Sequence, residues 1–228
     1  MSPGSASRLP ALAYAAPPDH ALEIVYLDSA VLLVNKPAGL LSVPGRGEEK
    51  HDCLVRRIQS GYPEALIVHR LDMHTSGLLL LARGREMQRR LSIAFATRQV
   101  GKRYLAVVAG RPPSTSGEID LPLAADWPNR PRQKVDRLAG KTSLTRYRVL
   151  SHDPADDTSR LALWPETGRT HQLRVHLQAL GHPIVGDALY GSAAPAGKAA
   201  RLLLHADHLA LVHPVSGRAM CFSSPAPF

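Results

Sequence analysis

Short apolar runs that occur in pairs dominate this sequence and most constrain how it can fold. The first pair, residues 22–26 and 31–34, flanks the turn signal Asp28-Ser29 and predicts a hairpin. Further strands are predicted over residues 66–68, 78–81, 102–108, 144–150, 160–164, 209–212 and 219–222. Because the strands outnumber the helices and lie in neighbouring pairs, the pattern predicts an α+β fold with a mixed, largely antiparallel sheet and flanking helices and loops.

Two segments have the spacing of helices. Residues 86–98 place apolar side chains three and four positions apart, namely Met87, Leu91, Ala94 and Phe95. A second helix is predicted over residues 170–180. It should stop at Gly181 and Pro183, because glycine accepts a left-handed cap and proline cannot continue a helix. The proline-punctuated stretch 112–132 is predicted to be a loop.

The length of 228 residues suits one compact domain. Residues 1–20 are Ser, Pro and Ala without periodicity, so we expect a disordered or loosely docked tail, with the domain over residues 21–228. No apolar run is long enough to cross a bilayer, and the N-terminus lacks the pattern of a signal peptide. Cys53 and Cys221 form no CxxC pair, which predicts ordinary thiols in a reducing cytoplasm.

The charge balance favours a polyanionic partner. The chain has 28 Lys and Arg against 19 Asp and Glu, a net charge of +9. Such an excess steers a protein to phosphates, and each phosphate contact releases counterions. Compositional drift in an alanine-rich sequence is the alternative explanation.

A polar segment over residues 69–77, between two predicted strands, is the first candidate site. Loops fixed between buried strands commonly carry catalytic groups, and Asp72 could act there as a nucleophile or general base. The alternative is a turn in which Asp72 caps the backbone near Thr75. A metal site using Asp72 with His69 and His74 is disfavoured, because the spacing matches no zinc pattern and an arginine adjoins.

Two other segments could carry function. In residues 168–176, Arg169 and Arg174 are five positions apart on a predicted helix, so only one of them can face a given site. An arginine facing a site could pair with a carboxylate or bind phosphate. The alternative is that the arginines lie on a solvated basic face. Residues 181–187 are turn chemistry, with a structural role expected. The loop 126–134 combines Trp127 with three cations, which fits contact with RNA as well as an ordinary exposed loop. The cations are Arg130, Arg132 and Lys134.

Together these segments resemble the RluA family of pseudouridine synthases. His-Arg-Leu-Asp-x-x-Thr-Ser-Gly at 69–77 is similar to the family's catalytic signature, and Gly-Arg-Thr-His-Gln-Leu-Arg at 168–174 to its second motif. The segments 35–39 and 203–206 occupy the flanking places of the family, and the likeness runs from about residue 22 to the C-terminus. The chain most resembles the short members that act on both a tRNA anticodon loop and 23S ribosomal RNA. We expect no S4-like domain before the catalytic domain.

The resemblance implies roles for four residues. Asp72 would attack, or assist at, ribose C1′, Arg174 would pair with this carboxylate, and Tyr104 would stack on the uracil. Arg70 would enter the RNA stack as the uridine is flipped out. The implied reaction is an isomerisation without metal or organic cofactor, by a monomer that needs no protein partner, acting on a tRNA anticodon stem-loop and 23S rRNA. The alternatives are another target uridine, a non-catalytic RNA-binding or ribosome-assembly factor, and a metal-dependent phosphoesterase.

Overall fold

The computed structural model describes residues 14–19, 22–191 and 199–228. The strands within these ranges are β1 Glu23–Leu27, β2 Val31–Lys36, β3 Ala65–Ile67, β4 Ser76–Arg83, β5 Gly101–Ala109, β6 Ser116–Asp120, β7 Leu123–Ala125, β8 Gln133–Val135, β9 Leu144–Asp153, β10 Thr158–Pro165, β11 Leu204–Val212 and β12 Ala219–Ser223. The α-helices are α1 Leu54–Gln59, α2 Arg85–Ala96 and α3 Gln172–Ala179.

One mixed sheet forms the body of the protein. Its strand order is β1-β2-β4-β11-β5-β10-β9-β6, with β3 paired to β4, β12 paired to β11, and a separate hairpin of β7 and β8. Neighbouring strands are antiparallel except at β4 and β11, whose parallel ladder pairs Ser76 with His205 and Gly77 with Ala206. The predicted α+β class with a mixed, largely antiparallel sheet is confirmed.

The central strand β4 is buried on both faces. Leu79 and Leu81 pack into a cluster that contains α1, whereas Leu78 and Leu80 pack into a cluster that contains Leu91 of α2. Side chains alternate between the two faces of a strand, so a strand covered on both sides appears in the sequence as an unbroken apolar run. This burial gives a rigid support to the loop that precedes β4.

Several local predictions need correction. The stretch 112–132, predicted as a loop, contains β6 and β7, and α1 was not predicted. The second helix begins at Gln172 because the preceding His171 has a left-handed backbone, φ 54°, which no α-helix contains. The stop after this helix is confirmed, since Gly181 has φ +90°.

The part of the predicted tail that the structure describes lies against α1. The Tyr14 hydroxyl donates to the Asp52 carbonyl at 2.8 Å, and Arg57 donates to the Pro17 carbonyl at 2.7 Å. The remainder of the predicted tail, residues 1–13 and 20, lies outside the described residues. Among the described helices, none has the length and apolarity required to cross a membrane.

Candidate active site

Asp72 lies in the loop between β3 and β4, which is held by main-chain contacts. The Ser42 hydroxyl donates to the Leu71 carbonyl at 2.7 Å, and the Leu71 amide donates back to this hydroxyl at 3.2 Å. The following turn is closed by the main-chain carbonyl of Asp72, which accepts the Thr75 amide at 3.1 Å. The Asp72 carboxylate takes no part in this hydrogen bond, so the turn does not account for the side chain.

A buried lysine connects this loop to the segment after β2. The Lys36 ammonium donates to the carbonyls of Pro37, Leu40 and Met73 at 2.8, 2.6 and 2.9 Å. Burial lowers the pKa of Lys36 to about 7, and the negative charge of Asp72 acts in the opposite direction. Lys36 therefore fixes the chain next to Asp72.

Arg174, on α3, joins two carboxylates. Its Nε and Nη2 donate to Asp187 at 2.7 and 2.8 Å, and its Nη1 lies 3.5 Å from Asp72 Oδ2. Burial alone would lower the pKa of Arg174, but the two-point hydrogen bond with Asp187 outweighs it and raises the pKa. Arg174 is thus a fixed, permanently charged partner beside the less buried Asp72.

His171, the residue directly before α3, faces Asp72. Its Nε2 lies 4.0 Å from Asp72 Oδ2, and its Nδ1 lies 2.7 Å from the Tyr190 hydroxyl. Burial lowers the pKa of His171. A neutral imidazole therefore lies beside the carboxylate at neutral pH.

A cavity of about 100 Å³ contains Asp72 and Tyr104 in its wall. It adjoins a groove of about 770 Å³ that shares both residues and passes beside Arg70 and Lys102. Burial, together with the negative charge of Asp72, raises the pKa of the Tyr104 phenol. Tyr104 is therefore a neutral aromatic ring that can stack on a planar ligand next to the carboxylate.

The basic loop over residues 126–134 is linked to the wall of this cavity through Tyr190, which contacts the cavity residue His171. Its Gln133 amide donates to the Tyr190 hydroxyl at 2.7 Å, and the Arg132 guanidinium lies 5.4 Å from the Tyr190 ring centroid. Arg130 covers the Trp127 ring at 3.3 Å, and both residues are exposed. Lys134 Nζ lies 3.7 Å from Asp136. The loop thus presents cations and one aromatic ring to solvent next to the Asp72 site.

Comparison with known proteins identifies the chemistry. Residues 30–179 match the family model described as RNA pseudouridylate synthase. The chain is 50% identical over 215 residues to the dual-specificity RNA pseudouridine synthase RluA of Escherichia coli (strain K12), covering 94% of this chain and 98% of that protein. The chain belongs to the RNA pseudouridine synthase family. It is an isomerase that forms pseudouridine in RNA.

Other members of the pseudouridine synthase family match over similar lengths. RluA of Vibrio parahaemolyticus is 49% identical over 208 residues, which cover 90% of this chain and 83% of that protein. The solved structure of human RNA pseudouridylate synthase domain containing 1 has a TM-score of 0.75 and 31% identity, and covers 100% of this chain and 87% of that one. Human RNA pseudouridylate synthase domain containing 4 follows with a TM-score of 0.70, 26% identity, and coverage of 90% and 88%.

This membership favours the isomerase over two other hypotheses from the sequence, the non-catalytic RNA-binding factor and the phosphoesterase. Residues expected to act in the synthase lie around one cavity, namely Asp72, Tyr104, Arg174 and Arg70. Arg169, the other arginine of the second motif, is exposed, but it precedes α3 and lines the same cavity as Arg174, so the expectation that only one of the two arginines faces the site was wrong. Within the described part of the chain, no three His, Cys, Asp or Glu side chains are grouped as metal ligands would be.

Sequence reasoning missed two members of the synthase site. Asp187 was given a structural role in a turn, but it is the bidentate partner of Arg174. Tyr190 was not considered, although it links the 126–134 loop to His171. In the sequence, Asp187 and Tyr190 are marked only as polar residues that follow the predicted end of the second helix within a few positions. Nothing in their spacing indicates that the chain folds back onto α3.

Proposed function

We propose that Asp72 is the catalytic carboxylate of this synthase and that it acts at ribose C1′ of a uridine flipped out of its RNA. The bond between C1′ and uracil N1 breaks, the base turns within the cavity, and a bond forms between C1′ and C5. C5 then loses its proton and N1 gains one, so the reaction is an isomerisation that balances without a metal or organic cofactor.

The observation that carries this proposal is the position of Asp72 Oδ2, 3.5 Å from a guanidinium that is itself fixed by Asp187. The guanidinium orients this carboxylate towards the cavity, where it can act as a nucleophile or stabilise positive charge at C1′. Tyr104 lines the same cavity and supplies an aromatic face for the detached uracil. These roles agree with those that the family motifs imply.

Flipping is required because C1′ and C5 are not both accessible inside a stacked helix. Arg70 is exposed, directly precedes the buried Leu71, and lines the groove beside the cavity. We assign Arg70 to the gap that the flipped uridine leaves. We assign Arg130, Arg132 and Lys134 to the surrounding phosphates, since the loop that carries them contacts Tyr190 beside the cavity.

For the substrates we propose a tRNA anticodon stem-loop and 23S rRNA. The support is 50% identity across nearly the whole length of a relative named a dual-specificity synthase, and a similar likeness to the Vibrio protein of the same name. We further propose that the enzyme acts as a monomer in the cytoplasm. Mapping pseudouridines in RNA from a deletion strain, with and without the gene restored, tests the target; sites in one RNA class only would favour the narrower specificity.

Asp72→Asn tests the catalytic assignment. The substitution keeps the size of the side chain and removes its charge, so we expect kcat on a stem-loop substrate to fall at least about 10³-fold, with folding and RNA affinity nearly unchanged. The measurement is pseudouridine formed per enzyme, beside a filter-binding titration. Asp153→Asn, at the exposed end of β9 and outside the cavity and groove, is a control of the same chemical change. Comparable turnover by Asp72→Asn would refute the assignment.

A further inference from the structure

His171 and Tyr190 form a connected pair that the mechanism above leaves without a role. The side chain of His171 is 11% exposed and lies edge-on to the Tyr190 ring, with 5.6 Å between centroids. The backbone of His171 has φ 54°, a left-handed region that is unfavourable for residues other than glycine. Strain of this kind collects at functional sites, where the surrounding structure enforces it.

The hydrogen bonds around the Tyr190 hydroxyl select one tautomer of His171. The hydroxyl accepts the Gln133 amide, and its single proton has His171 Nδ1 as acceptor at 2.7 Å. With Nδ1 accepting, the ring proton of His171 is on Nε2, which faces Asp72. The opposite tautomer would aim a nitrogen lone pair at a carboxylate and leave the hydroxyl proton with no acceptor among the described residues.

We propose that His171, oriented by Tyr190, is a positioning residue that holds the Asp72 carboxylate together with Arg174. The inference rests on the proposed role of Asp72. Arg174 Nη1 and His171 Nε2 both approach Asp72 Oδ2, at 3.5 and 4.0 Å, so the pair restricts one oxygen and leaves Oδ1 for the ribose. Hydrogen bonds of this kind are commonly long in a free enzyme and shorten in the complex with substrate.

The same hydroxyl connects the site to the basic loop. Gln133 belongs to β8 and follows Arg132, whose guanidinium faces the Tyr190 ring at 5.4 Å, while the Arg174 guanidinium faces this ring at 5.0 Å. If RNA binding moves Arg132, the contact between Arg132 and the Tyr190 ring changes, and the Tyr190 hydroxyl sets the His171 tautomer. Tyr190 therefore connects RNA binding at the loop with the alignment of Asp72.

His171→Asn is the decisive substitution. Asparagine tolerates a left-handed backbone and its amide can still meet Tyr190, but it lacks an atom in the place of Nε2. We expect kcat to fall roughly 10- to 100-fold while KM for the stem-loop stays within about twofold, since misplacement of a reacting group lowers the rate without weakening RNA binding. His171→Gln, whose amide can reach towards Asp72, should recover most of the rate. Tyr190→Phe should lower kcat by about tenfold.

Two controls remove comparable hydrogen bonds far from the cavity. They are His152→Asn, which removes the hydrogen bond to Ser159 at 3.1 Å, and Tyr26→Phe, which removes the hydrogen bond to Asp28 at 2.9 Å. Both should retain the wild-type kcat. A fall in either control equal to that of the site variants would mean that the reduced rate reflects stability, and would overturn the proposal.

The position of the ring proton of His171 can be measured directly, and it would not depend on Tyr190 if the two residues only stabilised the fold. In ¹⁵N spectra of the folded wild type, with the His171 ring signal assigned through its connection to the His171 main-chain resonances, we expect the proton on Nε2; in Tyr190→Phe the two tautomers should become mixed. A proton on Nδ1 in the wild type overturns the proposal, and this test does not depend on any variant being stable. Full activity of His171→Asn beside an inactive Asp72→Asn refutes the positioning role alone, whereas an active Asp72→Asn refutes the proposed function.

Discussion

At the scale of single residues, Arg174 is the centre of the site because it is shared by two carboxylates of different exposure. Asp187 is buried and also accepts the amides of Leu189 and Tyr190 at 2.9 and 3.1 Å. Burial raises the pKa of Asp187, but the hydrogen bonds from Arg174 outweigh it, and the pKa is lowered. Asp187 therefore stays charged, and Arg174 has only Nη1 left for Asp72.

Asp187→Asn should weaken both stability and catalysis. Removing one member of a buried ion pair costs about 3–5 kcal/mol, and the freed guanidinium can move off Asp72, so we expect kcat to fall about tenfold or more. Urea unfolding and single-turnover kinetics measure the two effects.

Asp207→Asn is the matched control for this substitution. Asp207 is buried and pairs with Arg103 at 2.6 Å without lining the cavity. It should lose stability while its kcat stays at the wild-type value. Equal losses of kcat in the two variants would contradict a specific role for Asp187.

The sequence allows prediction of single residues only where a motif carries them. That Asp72, Tyr104 and Arg174 lie around one cavity could be predicted from the resemblance to the family, whereas their roles stay predictions. His69 of the same motif packs in the structure: its ring stacks on Phe95 with 4.4 Å between centroids, and its Nε2 accepts the Leu80 amide at 2.9 Å. The role of Asp187 depends on how a turn folds back onto α3, which residue spacing does not contain.

At the scale of elements, the start of β4 is a point where two backbones approach closely beside the site. Gly77 has φ +112°, and a Cβ built there would lie 2.3 Å from the Ala206 carbonyl oxygen of β11. No side chain can occupy this position without moving one of the two strands. The glycine of the motif at 69–77 is therefore explained by sheet pairing and not by contact with substrate.

Gly77→Ala should separate β4 from β11 and destabilise the protein by more than backbone strain alone. Gly84→Ala is the matched control, because Gly84 has φ +87° but no atom within 4 Å of its absent Cβ. We expect about 1–3 kcal/mol for Gly84→Ala and a clearly larger loss for Gly77→Ala, measured by urea unfolding. Equal losses at the two glycines would show that the close approach to Ala206 is unimportant.

Long elements with strong periodicity were predicted well, whereas several short ones, among them β7 and α1, were missed. β4 and α2 could be predicted because an unbroken apolar run and a repeat of three and four indicate them. β7 has three residues and is stabilised by pairing with β8, and α1 has six, so neither is long enough to repeat its period twice. Their stability comes from tertiary contacts that only the folded chain supplies.

At the scale of the whole molecule, the net charge of +9 should appear in RNA binding as a dependence on salt. Replacing Arg130, Arg132 and Lys134 by glutamine should lower RNA affinity. The slope of the logarithm of the binding constant against the logarithm of the salt concentration should become shallower by about 0.7 for each single-strand phosphate that is no longer neutralised. Arg218→Gln, on the exposed turn between β11 and β12, serves as the control for removal of charge alone. An unchanged slope in the triple variant would remove the loop from the RNA interface.

The overall class of fold could be predicted, but the strand order could not. Hairpin-like pairs indicated antiparallel neighbours, and most pairings agree. The exception is β11, which enters between β4 and β5 and is parallel to β4 over only two residue pairs. A contact between strands so distant in the chain leaves no local pattern in the sequence.

This short parallel ladder also fixes when in its synthesis the chain can acquire a complete site. Asp72 precedes β4, whereas Arg174, 102 residues later, belongs to the part of the molecule that β11 joins to β4. During translation the carboxylate therefore leaves the ribosome long before its arginine, and β11 follows later still. A nascent or truncated chain that ends before Arg174 carries Asp72 without this partner, so under the proposed function we expect it to form no pseudouridine.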